Sequence, residues 1–122
     1  MLKAFDLLAL LVFCAVIYWL SDQSSLPVPE LFTLQDKVQH FTAYFIMGVL
    51  AWRSFRHAVK PPLILAVLSV TFCSLYGISD EWHQSFVAGR SSDSLDWLAD
   101  TAGAFVAMLF LTKFFQFQKQ YR

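Results

Sequence analysis

Charged residues are scarce in this chain of 122 residues, and their scarcity excludes most water-soluble folds. Asp, Glu, Lys and Arg make up 15% of the sequence, whereas about 25% is usual in soluble domains. Hydrophobic residues make up 57% and include 13 Phe and 4 Trp, more bulk than one small core can hide from water. Most of the surface is therefore expected to face lipid. The formal net charge is zero, so the total charge gives no attraction to nucleic acid.

Several motifs of known enzymes and metal proteins are also missing. Cys14 and Cys73 lie in apolar runs without a C-x-x-C pair, which supports neither a disulfide framework nor a zinc site. There is no G-x-S-x-G, no glycine-rich phosphate loop and no H-E-x-x-H. No metal and no other cofactor is therefore predicted, although the histidines and carboxylates leave a divalent metal open as the weaker alternative.

Four apolar stretches predict an all-α protein, an integral membrane bundle of four transmembrane helices in one domain, 1–122. The helices are expected at about 3–21, 36–56, 61–84 and 93–115. Each reaches the length of ~20 residues that a bilayer requires. The first could instead be a signal peptide, but bulky Tyr18 and Trp19 stand where a cleavage site needs small residues. A retained helix is therefore favoured.

Turn-forming residues mark the ends of the helices. Pro27 and Pro29 restrict the residues before them to extended conformations, so 24–29 is expected to form a loop. Before helix four, Ser91 or Ser92 is expected to cap the first turn, since a serine oxygen can accept a bond from an unpaired helical N–H.

Positive charge is distributed unevenly between the two ends of the predicted bundle. One end has seven Lys and Arg residues: Lys3, Arg53, Arg56, Lys60, Lys113, Lys119 and Arg122. The other end has only Lys37 and Arg90. The positive-inside rule therefore predicts that both termini are cytoplasmic. All acidic residues except Asp6 fall at the outer end.

Helix two bears Asp36, Lys37, His40 and Tyr44 on one face, because their spacing follows the helical period. A solvated helix start explains Asp36 and Lys37. It explains His40 less well, because His40 lies a turn deeper.

Helix three bears Tyr76, Asp80, His83 and Gln84 along one stripe, with Glu81 beside it. Two adjacent carboxylates at a membrane interface repel each other unless a cation lies nearby. The alternative is that this end of the helix simply projects into water.

Helix four has the clearest pattern. Asp96 and Asp100 lie one turn apart, and the small residues Ala99, Gly103 and Ala107 continue along the same side. Such a row lets another helix approach closely, so the aspartates are expected to face neighbouring helices. Carboxylates inside a membrane bundle need partners. The available outer cations are Arg90, Lys37 and His40.

The motifs of helices two to four occur in a fixed order and cover nearly the whole chain. They are Asp36-Lys37-x-x-His40-x-x-x-Tyr44, Tyr76-Gly77-x-x-Asp80-Glu81-x-x-Gln84-x-Phe86-x-x-Gly89-Arg90 and Asp96-x-x-x-Asp100-x-x-Gly103. In this order and spacing they resemble the VanZ-like family of membrane proteins. The family usually has Asn where this chain has Asp100, so this chain adds a carboxyl group there.

The resemblance implies a multi-pass protein of the bacterial cytoplasmic (inner) membrane and a link to resistance against the glycopeptide teicoplanin. It does not imply a defined activity. It implies a shared polar site formed by Asp36, Lys37, His40, Tyr44, Asp80, Glu81, Gln84, Arg90, Asp96 and Asp100.

Two functions fit these residues, and whether the protein is an enzyme is left open. In the first, the site binds or modifies a lipid-linked phosphate or cell-wall precursor at the outer leaflet. The proposed proton-transfer groups are His40, Glu81 and Asp80. The proposed ligand-binding groups are Lys37, Arg90, Tyr44 and Gln84. The proposed supporting network is Asp36, Asp96 and Asp100.

In the second function the protein is a structural or interaction protein, and its charges form an ion-pair network that locks the helices. Transport is a third function and the least favoured, because helix one and the inner half of the bundle offer no polar path. Membrane lipids are the expected partners. No oligomeric state is predicted.

Overall fold

The chain folds into four α-helices, as described for residues 1–26 and 28–120 of a computed structural model. They are α1 (Leu2–Ser21), α2 (Gln35–Phe55), α3 (Pro62–Gln84) and α4 (Ser94–Gln120). The all-α prediction is therefore confirmed, and the helix ends agree within a few residues except at the end of α4, which extends beyond the expected 115. Pro27 of the predicted loop and Arg122 of the charge count lie outside the described residues.

The predicted cap of α4 is wrong. The helix begins at Ser94, and the backbone N–H of Leu95 donates to Asp93 Oδ1 at 2.9 Å. Asp93 immediately precedes the helix, so its short carboxylate reaches the second N–H of the first turn. Ser91 and Ser92 stand too far back along the chain for this role.

Three of the four helices, α1, α3 and α4, are long and apolar enough to cross a membrane. Their outward faces expose large apolar side chains such as Leu11, Val67 and Phe110, as a lipid-facing surface requires. α2 does not meet the same criterion, and polar residues such as Gln39, His40 and Arg53 lower its hydropathy. Three of the four expected transmembrane helices are thus supported by length and composition.

α2 packs against each of the other three helices, and most extensively against α4. Its buried residues Tyr44 and Met47 join Leu10 of α1, Cys73 of α3 and Ala104 of α4 in one core cluster. A helix enclosed by protein does not need an apolar surface on every side. This position explains how α2 can have more polar residues than its neighbours.

α2 and α4 approach each other closely because small residues face each other. A Cβ added to Gly103 would collide with the carbonyl oxygen of Phe41. A Cβ added to Gly48 would lie 3.2 Å from Ala104 Cα and 3.3 Å from Ala107 Cβ. The close approach predicted for the small-residue side of α4 is therefore confirmed, and the partner is α2.

Successive helices run antiparallel, which defines two ends of the bundle. At the polar end, Ser21 at the end of α1 contacts Asp80 of α3, and Lys37 of α2 contacts Asp96 of α4. At the basic end, α1 begins, α2 ends, α3 begins and α4 ends. The described Lys and Arg residues of the basic end are Lys3, Arg53, Arg56, Lys60, Lys113 and Lys119.

Candidate functional site

His40 is the centre of the polar end. Its Nδ1 lies 2.8 Å from Asp100 Oδ1 and 4.0 Å from Glu81 Oε1. Its Nε2 lies 3.8 Å from both Asp36 Oδ1 and Asp96 Oδ2. The side chain is only 10% exposed. Carboxylates from three helices therefore converge on one imidazole.

Asp80 is held by hydrogen bonds from three elements. The Tyr44 hydroxyl donates to Oδ2 at 3.1 Å, and the Ser21 hydroxyl donates to Oδ1. Gln84 Nε2 lies 3.5 Å from Oδ1 on the next turn of α3. Ser21 was not predicted from the sequence, because a serine at the end of an apolar helix gives no distinctive signal. These contacts fix the Asp80 carboxylate in a buried position.

Lys37 joins the start of α2 to the start of α4. Its Nζ lies 2.5 Å from Asp96 Oδ1, 2.9 Å from Asp93 Oδ2 and 3.5 Å from Asp36 Oδ2. Asp93 lies in the connection before α4. The hydrogen bond from Lys37, helped by the N–H of Leu95, lowers the pKa of the Asp93 carboxyl below its ordinary value. Asp93 was not among the predicted site residues, although its position before a helix is typical of a cap.

At the polar end, two buried carboxylate oxygens have no hydrogen-bond partner among the described residues. Glu81 accepts the Asp93 N–H through Oε2 at 2.9 Å, which leaves Oε1 without a partner. Asp100 is bonded to His40 through Oδ1, which leaves Oδ2 without a partner. Asp100 Oδ2 faces α3 at Gly77, where an added Cβ would come within 2.9 Å of it.

The carboxylates and the histidine form a donor set suited to a cation. One ligand atom from each of His40, Asp80, Glu81 and Asp100 lies within 4.8 Å of the others. A second set combines His40 with Asp36 and Asp96. Imidazole and carboxylate groups are the ligands that divalent first-row metals accept in proteins.

A cavity of about 280 Å³ opens beside this cluster. Its apolar lining residues are Ile17, Leu20, Leu26, Val28 and Ala43. Its polar lining residues are Ser21, Asp36, Gln39, His40, Tyr44, Asp80, Gln84 and Arg90. The cavity therefore brings an apolar wall, a set of acids and a guanidinium together.

Arg90 differs from Lys37 in its surroundings. It lines the cavity, yet within the described part of the chain no carboxylate lies within 4.0 Å of its guanidinium. The sequence offered it as a partner for Asp96 and Asp100, and the structure does not join them. A half-buried guanidinium beside an open cavity remains available for a ligand.

His83 does not line the cavity, although it lies on the same stripe of α3 as Asp80 and Gln84. Its Nε2 lies 3.0 Å from Asp22 Oδ1, and its ring stacks on Tyr18 with centroids 4.5 Å apart. Tyr76 donates to the carbonyl oxygen of Cys14 at 2.5 Å. These two residues therefore attach α3 to α1, while Asp80 and Gln84 of the same stripe line the cavity.

A second buried acid, not predicted from the sequence, lies at the basic end. Asp6 of α1 is 2% exposed. Its Oδ1 lies 2.8 Å from Arg53 Nη2, and its Oδ2 lies 2.8 Å from His57 Nε2 and 3.9 Å from Arg56 Nη2. Part of the signal was present in the sequence, because Arg53, Arg56 and His57 lie within five residues of each other and Asp6 is the single charged residue between Lys3 and Ser21.

The fold and the site together define a helical membrane protein with a buried, mostly acidic cluster at one end of the bundle. The VanZ/LLP1 family model matches residues 5–116. The chain therefore belongs to the VanZ/LLP1 family, which confirms the resemblance drawn from its motifs. No significant match is found among curated proteins or among solved structures.

Proposed function

We propose that this protein binds or modifies a lipid-linked phosphate or cell-envelope precursor at the polar end of the bundle. The observation that carries the proposal is the cavity, in which a guanidinium without an acidic partner among the described residues adjoins an apolar wall. An amphipathic ligand needs both features, since its head requires charge and its chain requires apolar contact.

Arg90 is the residue best suited to hold the head group. A guanidinium can donate two parallel hydrogen bonds to a phosphate or carboxylate, and no acid among the described residues occupies Arg90. Lys37 was the other predicted cation, but its ammonium already contacts Asp93 and Asp96. Arg90 is therefore favoured over Lys37 for direct contact with the ligand.

The lipid chain would lie along the apolar wall formed by α1, the following loop and Ala43 of α2. Burying this chain against Ile17, Leu20 and Leu26 contributes roughly 25 cal/mol per Å² of apolar surface removed from water. Tyr44 and Gln84 line the same cavity and can orient polar groups of the ligand.

Proton transfer is the chemistry that this site would supply if the ligand is modified. His40 is hydrogen-bonded to Asp100, and Glu81 has a buried oxygen without a partner among the described residues. His40 lines the cavity with Arg90 and could move a proton to or from a ligand held there, and Glu81 could act behind it, with Oε1 4.0 Å from His40 Nδ1. Asp80 is the third candidate, although Ser21 and Tyr44 already occupy both of its oxygens.

The orientation in the membrane follows from the unequal numbers of Lys and Arg at the two ends. The basic end would be cytoplasmic, with both termini there, and the polar end would lie at the outer leaflet of a bacterial cytoplasmic membrane. A role in the cell envelope, and the link to teicoplanin resistance suggested by the family resemblance, are part of this proposal.

The experiment compares ligand binding by the wild type, Arg90→Ala and Arg90→Lys in nanodiscs. Phosphatidylglycerol and an undecaprenyl-phosphate analogue serve as ligands. Arg90→Ala should abolish binding. Arg90→Lys should weaken it, because a single ammonium cannot donate the two parallel hydrogen bonds of a planar guanidinium. Lys3→Ala, which removes a cation at the opposite end, should bind like the wild type. An Arg90→Ala variant that binds these lipids as tightly as the wild type would contradict the proposal.

One observation favours a structural function as the alternative. Lys37 contacts Asp93 and Asp96, and these contacts join α2 to the start of α4. In this alternative, Asp96→Asn and Lys37→Gln, which remove the two partners of the shortest of these contacts, should both lower the melting temperature in detergent. If both variants melt like the wild type but lose the cellular phenotype, the structural alternative fails.

A further inference from the structure

Negative charge outweighs positive charge in the cluster around His40. The carboxyl groups of this cluster are Asp36, Asp80, Glu81, Asp93, Asp96 and Asp100. The basic groups in contact with them are Lys37 and His40. Buried carboxylates without counter-charge are costly, and more so inside a membrane bundle. Further positive charge would therefore stabilise the cluster.

Glu81 and Asp100 show where that charge is missing. Glu81 is 6% exposed and Asp100 is 0% exposed, and each has one oxygen without a hydrogen-bond partner among the described residues. Glu81 Oε1 points toward His40, with 4.0 Å between it and Nδ1. Native proteins pair nearly all buried polar atoms, so these two oxygens in one cluster are where an additional cation could be bound.

We propose that His40, Asp80, Glu81 and Asp100 form a binding site for one divalent metal cation. One ligand atom from each residue lies within 4.8 Å of the others. Ligands bound to one ion at about 2.1 Å lie within about 4.2 Å of each other. Small side-chain rotations, with the hydrogen bond between His40 and Asp100 given up for the ion, would bring the four groups onto one ion.

The neighbouring residues support a metal site. Tyr44 and Ser21 donate hydrogen bonds to Asp80, and such bonds hold a ligating carboxylate in its orientation. Each carboxylate oxygen has two lone pairs, so Asp80 can accept these bonds and still bind an ion. His40 and Asp80 also line the cavity, which gives an ion a path into the cluster.

The donor set indicates the class of metal. Three carboxylates and one imidazole suit a divalent first-row ion such as Mn²⁺ or Zn²⁺ better than Mg²⁺, which prefers oxygen ligands alone. The proposed role of the ion rests on the proposed function. A cation bound by His40 and Asp80, which line the same cavity as Arg90, would attract a phosphate head group that the acids alone would repel.

The test is a titration of the chelator-treated, full-length protein in detergent with Mn²⁺, in the absence of lipid. Loss of the free Mn²⁺ signal in electron paramagnetic resonance measures binding, with one site per chain expected. Glu81→Gln and Asp100→Asn should each weaken the affinity by roughly tenfold or more. Spin-echo modulation from a bound nitrogen should be present in the wild type and absent in His40→Gln.

Control variants separate this site from general charge effects. His83→Asn alters a histidine bound to Asp22 at the same end, and Asp6→Asn alters the buried acid of the opposite end. Both should bind Mn²⁺ like the wild type. At one fixed Mn²⁺ concentration, the ion should also raise the melting temperature of the wild type more than that of Glu81→Gln, because stabilisation by a bound ion grows with its affinity for the folded state.

The proposal is overturned if the wild type shows no saturable Mn²⁺ or Zn²⁺ binding, which would mean that protons neutralise the acids instead. It is also overturned if folded Asp100→Asn and Glu81→Gln both bind as tightly as the wild type. If Glu81→Gln does not fold, the comparison of Mn²⁺ affinity between Asp100→Asn and the wild type is the test. Ion binding without any lipid binding would contradict the proposed function but not the metal site. Lipid binding without ion binding would contradict the metal site but not the proposed function.

Discussion

Asp6 Oδ1 lies 2.8 Å from Arg53 Nη2 and thereby joins the first turns of α1 to the last turn of α2. His57 contacts the other oxygen of the same carboxylate. The basic end therefore has its own buried acid with three basic partners, since Arg56 Nη2 also lies 3.9 Å from Asp6 Oδ2. Ion pairs join the helices at both ends of the bundle. Acidic residues are in excess at the polar end, and basic residues are in excess at the other end.

Asp6→Asn should lower the melting temperature in detergent. The amide keeps the shape of the side chain but removes the charge with which the buried Asp6 pairs with Arg53 and His57, and the loss of a charge-assisted contact at a buried position is costly. The measurement is thermal unfolding of the wild type, Asp6→Asn and the control Lys3→Ala, in which an exposed charge of the same end is removed. Equal melting of Asp6→Asn and Lys3→Ala would contradict the structural role of Asp6.

Tyr44→Phe should destabilise the protein by about 1–3 kcal/mol, because Asp80 loses a buried hydrogen-bond donor. Tyr44 is 1% exposed and its hydroxyl lies 3.1 Å from Asp80 Oδ2. The free energy of unfolding can be measured by denaturant titration in mixed micelles. Tyr18→Phe removes a hydroxyl from an exposed residue and should have little effect. A similar loss in both variants would mean that the bond to Asp80 contributes nothing specific.

Lys37→Met should destabilise the protein because it leaves Asp96 buried without its ammonium. Breaking a fully buried pair costs roughly 3–5 kcal/mol. The Lys37 side chain is 29% exposed, so solvent screening lowers the expected loss to about 1–3 kcal/mol. The double variant Lys37→Met/Asp96→Asn should recover part of this loss, since it removes the orphaned charge as well. A double variant less stable than Lys37→Met would rule out this explanation.

The contact between Lys37 and Asp93 should depend on pH. Because the folded protein has a lowered Asp93 pKa, the contribution of this carboxylate is present above its ordinary pKa. It is lost as the pH falls through the lower, folded value. Asp93→Asn keeps a residue able to cap α4 but removes the charge. Its melting temperature should lie below that of the wild type at neutral pH, and the difference should shrink in acid.

A pH series of melting temperatures for the wild type, Asp93→Asn and Glu30→Gln measures this dependence. Glu30 is an exposed acid in the connection between α1 and α2. Its variant should follow the wild type at every pH. A wild-type advantage over Asp93→Asn that stays constant down to low pH would show that the charge of Asp93 is not the cause.

The sequence was most informative where residues of one helix share a face. The spacing of Asp36, His40 and Tyr44 predicted one polar face, and that face does point into the cluster. Spacing within a helix cannot show which residues of different helices meet, however. The contacts of Ser21 with Asp80 and of Asp6 with His57 depend on how the helices pack, so no local pattern could assign these residues to each other.

Which acid each cation contacts was the hardest feature to predict, because this also depends on how the helices pack. Lys37 and Arg90 both stand at the polar end, and the sequence offered both as partners for the aspartates of α4. Lys37 begins a helix that packs against α4, and its ammonium reaches Asp96. Arg90 follows Gly89, whose φ of +82° turns the chain in the connection before α4. Arg90 follows this turn and does not contact Asp96, whereas Lys37 does.

Gly103→Ala should disturb the packing of α2 on α4 more strongly than Gly48→Ala does. The new Cβ at Gly103 would meet the carbonyl oxygen of Phe41, which is backbone and cannot move aside by changing a side-chain rotamer. Overpacking of this kind costs about 1–3 kcal/mol, measurable as a lower free energy of unfolding in mixed micelles. Ala102→Val adds more volume on the exposed side of α4 and should be nearly neutral. If Gly103→Ala were as stable as Ala102→Val, α2 and α4 could not lie as close as Gly103 and Phe41 indicate.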